Sequence, residues 1–301
     1  MLRYQRAKYG TRIASSVSHL TDRTSPVSHA MLSLHRADIY PEQPWFVLSA
    51  AQHYSLIPGS HPAISQFYSF EVAPSASLAV PDGCVDILFD CDAVRPVARV
   101  CGTMLGARSA ELFCNHRYFG IRFAPGVMPD FLDITACELT DDEFDFLDVV
   151  PDARHACEQI LNTSLFSQQI ALFNTGFTPR LARKSSAVTR SVIRTILQHK
   201  GNIRVQQLAA LSGYICRTIQ RQFRQNTGLS PKAFGRMMRC QAALNNLHLP
   251  GNLSCSDLAL DLGFSDQSHF LREFKKLVST TPLDYQRRTL LAAGGNPTGC
   301  H

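Results

Sequence analysis

The stretch Leu262–Lys276, LGFSDQSHFLREFKK, decides how this chain is read. Within five residues it holds Ser265, Asp266, Ser268 and His269, the raw material of a hydrolase triad. It also sets Gly263 and Phe264 ahead of a run in which Phe270, Phe274 and Leu277 recur at helical spacing. In a helix, consecutive side chains point about 100° apart, so adjacency in sequence no longer brings a triad together. On the helical reading Ser265 caps the N-terminus, Asp266 faces the positive end of the helix dipole, and Gln267 and Ser268 fill the exposed first turn. His269 falls between the outward row and the phenylalanine stripe. Neither a G-x-S-x-G elbow nor a clustered cysteine metal site supports an enzyme, so no catalytic residue is assigned.

The same grammar occurs 50 residues upstream. Ile203–Pro231, IRVQQLAALSGYICRTIQRQFRQNTGLSP, and Leu253–Pro282, LSCSDLALDLGFSDQSHFLREFKKLVSTTP, each run a short helix with Leu-Ala at its centre into a Gly turn and an aromatic. A longer helix then carries a buried stripe, Ile219 and Phe223 in one copy and Phe270 and Phe274 in the other. A glycine in a short turn between two helices is the helix-turn-helix signature, and its duplication makes the signal specific. On the wheel, Arg217, Gln220, Arg221 and Arg224 face outward in the first unit, and Gln267, Ser268, Leu271, Arg272 and Lys275 in the second, with Lys276 beside them as a phosphate contact. Arginine and glutamine match guanine and adenine edges in the major groove, which the first turns of a recognition helix reach. Ser254, with Asp257 as a capping box, and Ser265 are the expected helix caps of the second unit. Arg204 and Ile215 stand at the corresponding positions of the first and offer no cap, so the first unit is expected to be the less rigid.

Charge divides the chain in the same place. Residues 183–288 carry 17 Lys/Arg against five Asp/Glu, whereas residues 41–182 carry seven against 17, and residues 1–40 six against two. A basic third beside an acidic middle has the electrostatic footprint of a polyanion binder, and the acidic half is expected either to add solubility or to compete for the basic face. Hydrophobic residues make up 45% and charged residues 18% of 301, which excludes a disordered chain. No apolar run approaches the length of a membrane span, so a cytoplasmic protein is expected. The ten cysteines include no C-x-x-C pair and read as reduced, packed thiols.

Residues 1–40 are basic and Ser-rich and read as a flexible tail, with Met31 an alternative start. Residues 41–177 alternate β-branched or aromatic runs with turn residues and predict a β-rich domain, a small barrel or sandwich, closed by a helical pair over 139–173. In CVDILFD, Val85, Ile87 and Phe89 share one face, and Asp86, Leu88 and Asp90 the outer one. A linker is placed at 178–187, an all-α domain at 188–288, and a second tail at 289–301. The fold class is therefore α+β: a β-rich N-terminal domain and two helix-turn-helix units joined by a long helix.

Residues 188–288 resemble the AraC/XylS family of bacterial transcription regulators. GFSDQSHFLREFKKLVSTTPLDYQR is similar to that family's C-terminal signature, and TGLSPKAFGRMMRCQAALNNL to its long connecting helix. The resemblance implies seven helices, two of them in successive major-groove segments, with base contacts at Arg217, Arg221, Gln267, Ser268 and Arg272. Upstream, VPDGCVDILFD, VCG and FGIRFAPGVMPDFL resemble an uncharacterised domain of one AraC-like subset. By analogy that domain binds a small-molecule effector or mediates homodimerisation. The implied partners are double-stranded DNA and, for an activator, RNA polymerase, with no cofactor and no membrane.

Rival sites in the N-terminal domain are weaker. Asp82, Asp86, Asp90 and Asp92 suggest a metal, but Asp82-Gly83 is better read as a turn. Cys84, Cys91, Cys101 and Cys114 with His53, His61 and His116 suggest a thiol- or metal-responsive regulator, yet match no closed zinc spacing. Arg117 and Arg122 suit an anion or, preferably, surface pairs to acidic residues of their own domain. A degenerate regulator that binds another protein instead of DNA is the remaining alternative.

Overall fold

The computed structural model describes residues 51–72, 78–109, 112–181, 185–247 and 254–293. The expectations for residues 1–40, and for the His53 side chain, lie outside them. Six strands form one antiparallel sheet: β1 (Ala51–Pro58), β2 (Ile64–Val72), β4 (Asp86–Asp90), β5 (Val97–Cys101), β7 (Arg117–Phe123) and β8 (Glu143–Asp145), in the order β1-β2-β7-β4-β5-β8. A two-stranded sheet pairs β3 (Leu78–Ala79) with β6 (Arg108–Ser109).

The alternation in β4 does what period two requires. Val85, Ile87 and Phe89 are buried with Phe67, Phe119 and Ile121 beneath α3 (Arg154–Leu161) and α4 (Phe166–Phe177), which follow the short α1 (Ala136–Leu139) and α2 (Phe146–Val149). Phe173 meets Phe67 edge-on, with centroids 5.9 Å apart. The opposite face differs from expectation, because it is not an outer face. Tyr68, Phe70, Leu88 and Tyr118 form a second buried cluster there, and Asp90 and Arg122 are buried beside them. Charged residues persist on this covered face because each finds a partner: Arg122 with Asp86 and Asp82, and Asp90 with His116 and the Tyr118 hydroxyl. Arg122 is thus paired within its own domain as expected, but in the interior instead of on the surface.

Three boundaries also move. Within the expected helical pair, Glu143–Asp145 forms the edge strand β8, since Phe144 packs toward the core while Glu143 reaches Arg99 across β5. The expected linker begins too early: residues 178–180 form a single 3₁₀ turn, and Leu181 is buried in the sheet domain's core. Residues 289–293, expected in the second tail, instead extend the last helix to Ala293, since TLLAA consists largely of good helix formers.

The helical half comprises α5 (Ala187–Gln198), α6 (Val205–Ser212), α7 (Cys216–Thr227), α8 (Pro231–Leu247), α9 (Cys255–Asp261), α10 (Gln267–Val278) and α11 (Pro282–Ala293). The long α8 serves two cores. Phe234, Met237 and Met238 pack with Ile219 and Phe223 of the first unit, whereas Cys240, Ala243 and Leu244 pack with Phe270 and Phe274 of the second. Among the described residues, no helix is long and apolar enough to cross a membrane.

Candidate nucleic-acid interface

Gly213 and Gly263 take left-handed φ values of 73° and 70°, which lets α6 turn into α7 and α9 into α10 without the strain a side chain would bring. A Cβ at Gly263 would also displace the exposed Asn202 side chain, whose amide nitrogen lies 1.9 Å from that position. Beyond each turn the helix divides cleanly. Ile219 and Phe223 of α7 are buried, while Arg217, Gln220, Arg221 and Arg224 are exposed. Phe270, Phe274, Leu277 and Val278 of α10 are buried, and Gln267, Ser268, Arg272, Lys275 and Lys276 are exposed. Leu271 departs from the outward row. It is half-buried against the second core, because an aliphatic side chain at the margin of a helix gains more from packing than from water.

The caps are partly rearranged. Ser254 accepts the Asp257 N–H at 3.1 Å, but Asp257 takes the Ser254 hydroxyl at 2.8 Å instead of the reciprocal backbone N–H. Ser265 does not cap α10. Asp266 does, in extended backbone, with its carboxylate accepting the His269 N–H at 2.7 Å, because a charged acceptor at a helix N-terminus outcompetes a hydroxyl. The Ser265 hydroxyl supports it from one residue upstream, 2.9 Å from the carboxylate and 3.1 Å from His269 Nδ1. Ser265, Asp266 and His269 therefore do converge, against the wheel's expectation, although as a cap: the Asp266 oxygens meet the serine hydroxyl and a backbone N–H. The hydrogen bond from the His269 backbone holds the Asp266 carboxyl below its usual value. In the first unit neither Arg204 nor Ile215 caps through its side chain, but Gln207 accepts the Arg204 N–H at 2.9 Å, half of a capping box.

Two tertiary features had no sequence signal. Arg239 of α8 bridges the units, donating to the Gly201 carbonyl at 3.1 Å ahead of α6 while its guanidinium lies 5.1 Å from the Phe264 ring centroid after α9. Burial pulls its pKa down. Nearby, Arg236 pairs with Glu273 of α10 at 2.6 Å.

The sheet domain grips the helical half at the last turn of α7, through backbone, and along α8. The Cys137 thiol of α1 donates to the Arg224 carbonyl at 3.4 Å, and Gln241 of α8 donates to the Pro81 carbonyl at 3.0 Å. Val80 enters the second core, and Gly83 lies so close to Phe234 that a Cβ would fall 2.8 Å from its ring. These contacts are apolar or through the backbone, unlike the charge-driven cover that the acidic middle suggested.

The rival sites fare differently. Among the described residues no group of three or more His, Cys, Asp or Glu is placed to hold a metal. Burial pushes the Cys84 and Cys101 thiols well up, Cys157 to about 11 and Cys240 to about 12, which withholds the reactive thiolate. Arg117 donates to the Ser164 and Thr163 carbonyls, in place of the acidic surface partner expected for it.

Residues 208–288 match a family described as a helix-turn-helix domain, and residues 61–145 match a domain of unknown function, DUF6597. The chain is 34% identical over 94 residues to the "Probable transcription factor PqrA" of Proteus vulgaris, covering 31% of this chain and 76% of that protein. It is 34% identical over 71 residues to the HTH-type transcriptional activator RhaS of Escherichia coli O157:H7, covering 24% of this chain but only 25% of RhaS. Among solved structures, "a probable AraC family transcriptional regulator" from Rhodopseudomonas palustris CGA009 is 30% identical over 35% of this chain and 98% of its own, with a TM-score of 0.31. The chain belongs to the AraC family of DNA-binding transcription regulators.

Proposed function

We propose that the protein lays α7 and α10 into successive major-groove segments of one duplex, roughly 34 Å apart. Arg217, Gln220 and Arg221 in the first segment, and Gln267, Ser268 and Arg272 in the second, read base edges. Arg224, Lys275 and Lys276 hold phosphates, and Leu271 supports its helix from the rim. The observation that carries this reading is the pair of exposed Arg/Gln/Lys rows on two helices that each follow a left-handed glycine and share α8 as a common strut. The N-terminal domain adjusts this binding through the contacts at Cys137, Pro81 and Val80, which reach α7 and α8 without covering either row.

The test is selection of bound fragments from a genomic DNA pool, followed by footprinting. Two protected patches one helical turn apart, with affinity falling steeply with salt as phosphate contacts release counterions, are expected. A single patch, or equal affinity for random DNA, overturns the two-helix reading, and capture of a protein partner with no DNA retained overturns DNA binding altogether.

A further inference from the structure

The helix α7 opens on a residue that neither caps it nor packs beneath it. Ile215 stands at its N-cap in extended backbone, φ −70° and ψ 147°, and makes no side-chain bond to the helix. At the head of α10 the same place is held by Asp266, whose carboxylate accepts the His269 N–H at 2.7 Å. An N-cap without a polar side chain leaves the N–H groups of the first turn to water. Ile215 is also 69% exposed, whereas the next residue, Cys216, turns inward, its thiol 3.8 Å from the Val205 carbonyl. A large aliphatic side chain thus forgoes both the bond of a cap and the gain of burial.

Ile215 has exposed apolar company. Leu211, two residues ahead of the Gly213 turn, is 65% exposed, and Tyr214, directly after it, 42%. The second unit carries Asp261 and Ser265 about its own glycine turn, and its Phe264 packs against the second core. A single exposed apolar residue is ordinary, but three about one turn mark a contact surface. The surroundings say what that contact is. Arg204, Arg217 and Arg221 are exposed on the same unit, and residues 203–228 contain no aspartate or glutamate. A surface of one charge sign suits a polyanion, so the apolar group belongs to the contact with DNA.

The edges of base pairs in the major groove are mostly donors and acceptors, and their apolar feature is the C5 methyl of thymine. The N-terminal residues of a recognition helix are those that reach these edges. An aliphatic side chain there gains by covering a methyl and loses by covering a polar edge that it cannot bond. Isoleucine is stiff at χ1, so holding it against one methyl costs little conformational freedom. Tyr214 has an apolar ring and a hydroxyl, which fit the sugar and phosphate at the rim of the groove.

We propose that Ile215 selects thymine at one position of the first half-site by covering its C5 methyl, with Tyr214 against the neighbouring sugar and phosphate. This rests on the reading of α7 as a major-groove helix. The test uses the full chain and a duplex recovered from the genomic pool, with its thymines replaced one at a time by deoxyuridine, which removes the methyl and keeps every hydrogen bond of the pair. The half-site of α7 is the one whose protection Arg217→Ala weakens. Within it, fluorescence anisotropy should find a thymine whose replacement lowers affinity about fourfold, the worth of one buried methyl group. Ile215→Ser should bind the thymine and deoxyuridine duplexes alike at that position, and Ile215→Val should keep most of the difference. Arg217→Ala should bind both more weakly and keep their ratio. Because serine can cap a helix, Ile215→Ser should melt no lower than wild type. Ile215→Gly, also tolerated at an N-cap, should lose the discrimination likewise and guards against a poorly folded serine variant. A thymine–deoxyuridine ratio that survives in both variants, or no methyl-sensitive thymine in that half-site, overturns the role of Ile215, while two protected patches leave the two-helix reading standing. A protein that retains no DNA overturns both.

Discussion

Asp266 anchors the first turn of α10 with a carboxylate whose pKa is lowered chiefly by the His269 backbone N–H. A group depressed on folding contributes stability above its unfolded pKa, near 3.8, and loses it as pH falls through the folded value. Asp266→Ala should therefore lower Tm at neutral pH by more than Ser265→Ala does, and its gap from wild type should close below pH 3.8; a gap independent of pH would assign the cap to another group. On the outward row the roles differ by chemistry. Arg272→Ala should cost about 1–3 kcal/mol at particular base positions and relax preference there, whereas Lys276→Ala should weaken all sequences alike and reduce the salt slope by about one. Binding titrations on specific and random duplexes at several salt concentrations check both, and equal effects of the two substitutions would refute the division of roles.

At the scale of elements, α8 is a strut with a clamp at its centre. Arg239 touches the Gly201 carbonyl before the first unit and the Phe264 ring within the second, so on the proposed two-helix reading its loss should loosen the angle between α7 and α10. Moving one half-site by a base pair rotates it by about 35° around the duplex. Wild type should therefore tolerate such an insertion poorly, and Arg239→Ala should bind the native spacing more weakly yet discriminate less between spacings. An unchanged spacing profile would reduce Arg239 to packing. Both turns carry left-handed backbone, so Gly263→Ala, at φ 70°, should cost about 1–3 kcal/mol in backbone strain, read by urea unfolding.

Across the whole molecule, the acidic half and the basic half meet through a buried amide, a buried valine and a backbone carbonyl, with no ion pair between domains among the contacts described. Such contacts are insensitive to salt, unlike DNA binding itself. Calorimetry should show both halves melting in one transition at low and high salt alike, with Gln241→Leu separating it into two. Two transitions already in the wild type would mean that the loop contacts are too weak to carry a signal.

Two helix-turn-helix units, their glycine turns, their buried stripes and their exposed basic rows were determined by sequence alone, because each rests on spacing within about 30 consecutive residues. The Val85, Ile87 and Phe89 face of β4 was legible for the same reason. Only the tertiary structure decided what depends on distant partners or on competition between neighbours. Asp266 displaced Ser265 as the cap because extended backbone at Asp266 aims the stronger acceptor at the His269 N–H. Period two separates the faces of a strand but does not say what covers them, so the second face of the sheet became an interior and Arg122 a buried ion-pair partner. The clamp at Arg239 joins residues 38 positions apart, and the Gln241–Pro81 bond residues 160 apart. Periodicity carries no trace of such contacts, and they are what join the acidic sheet domain to the basic helical half.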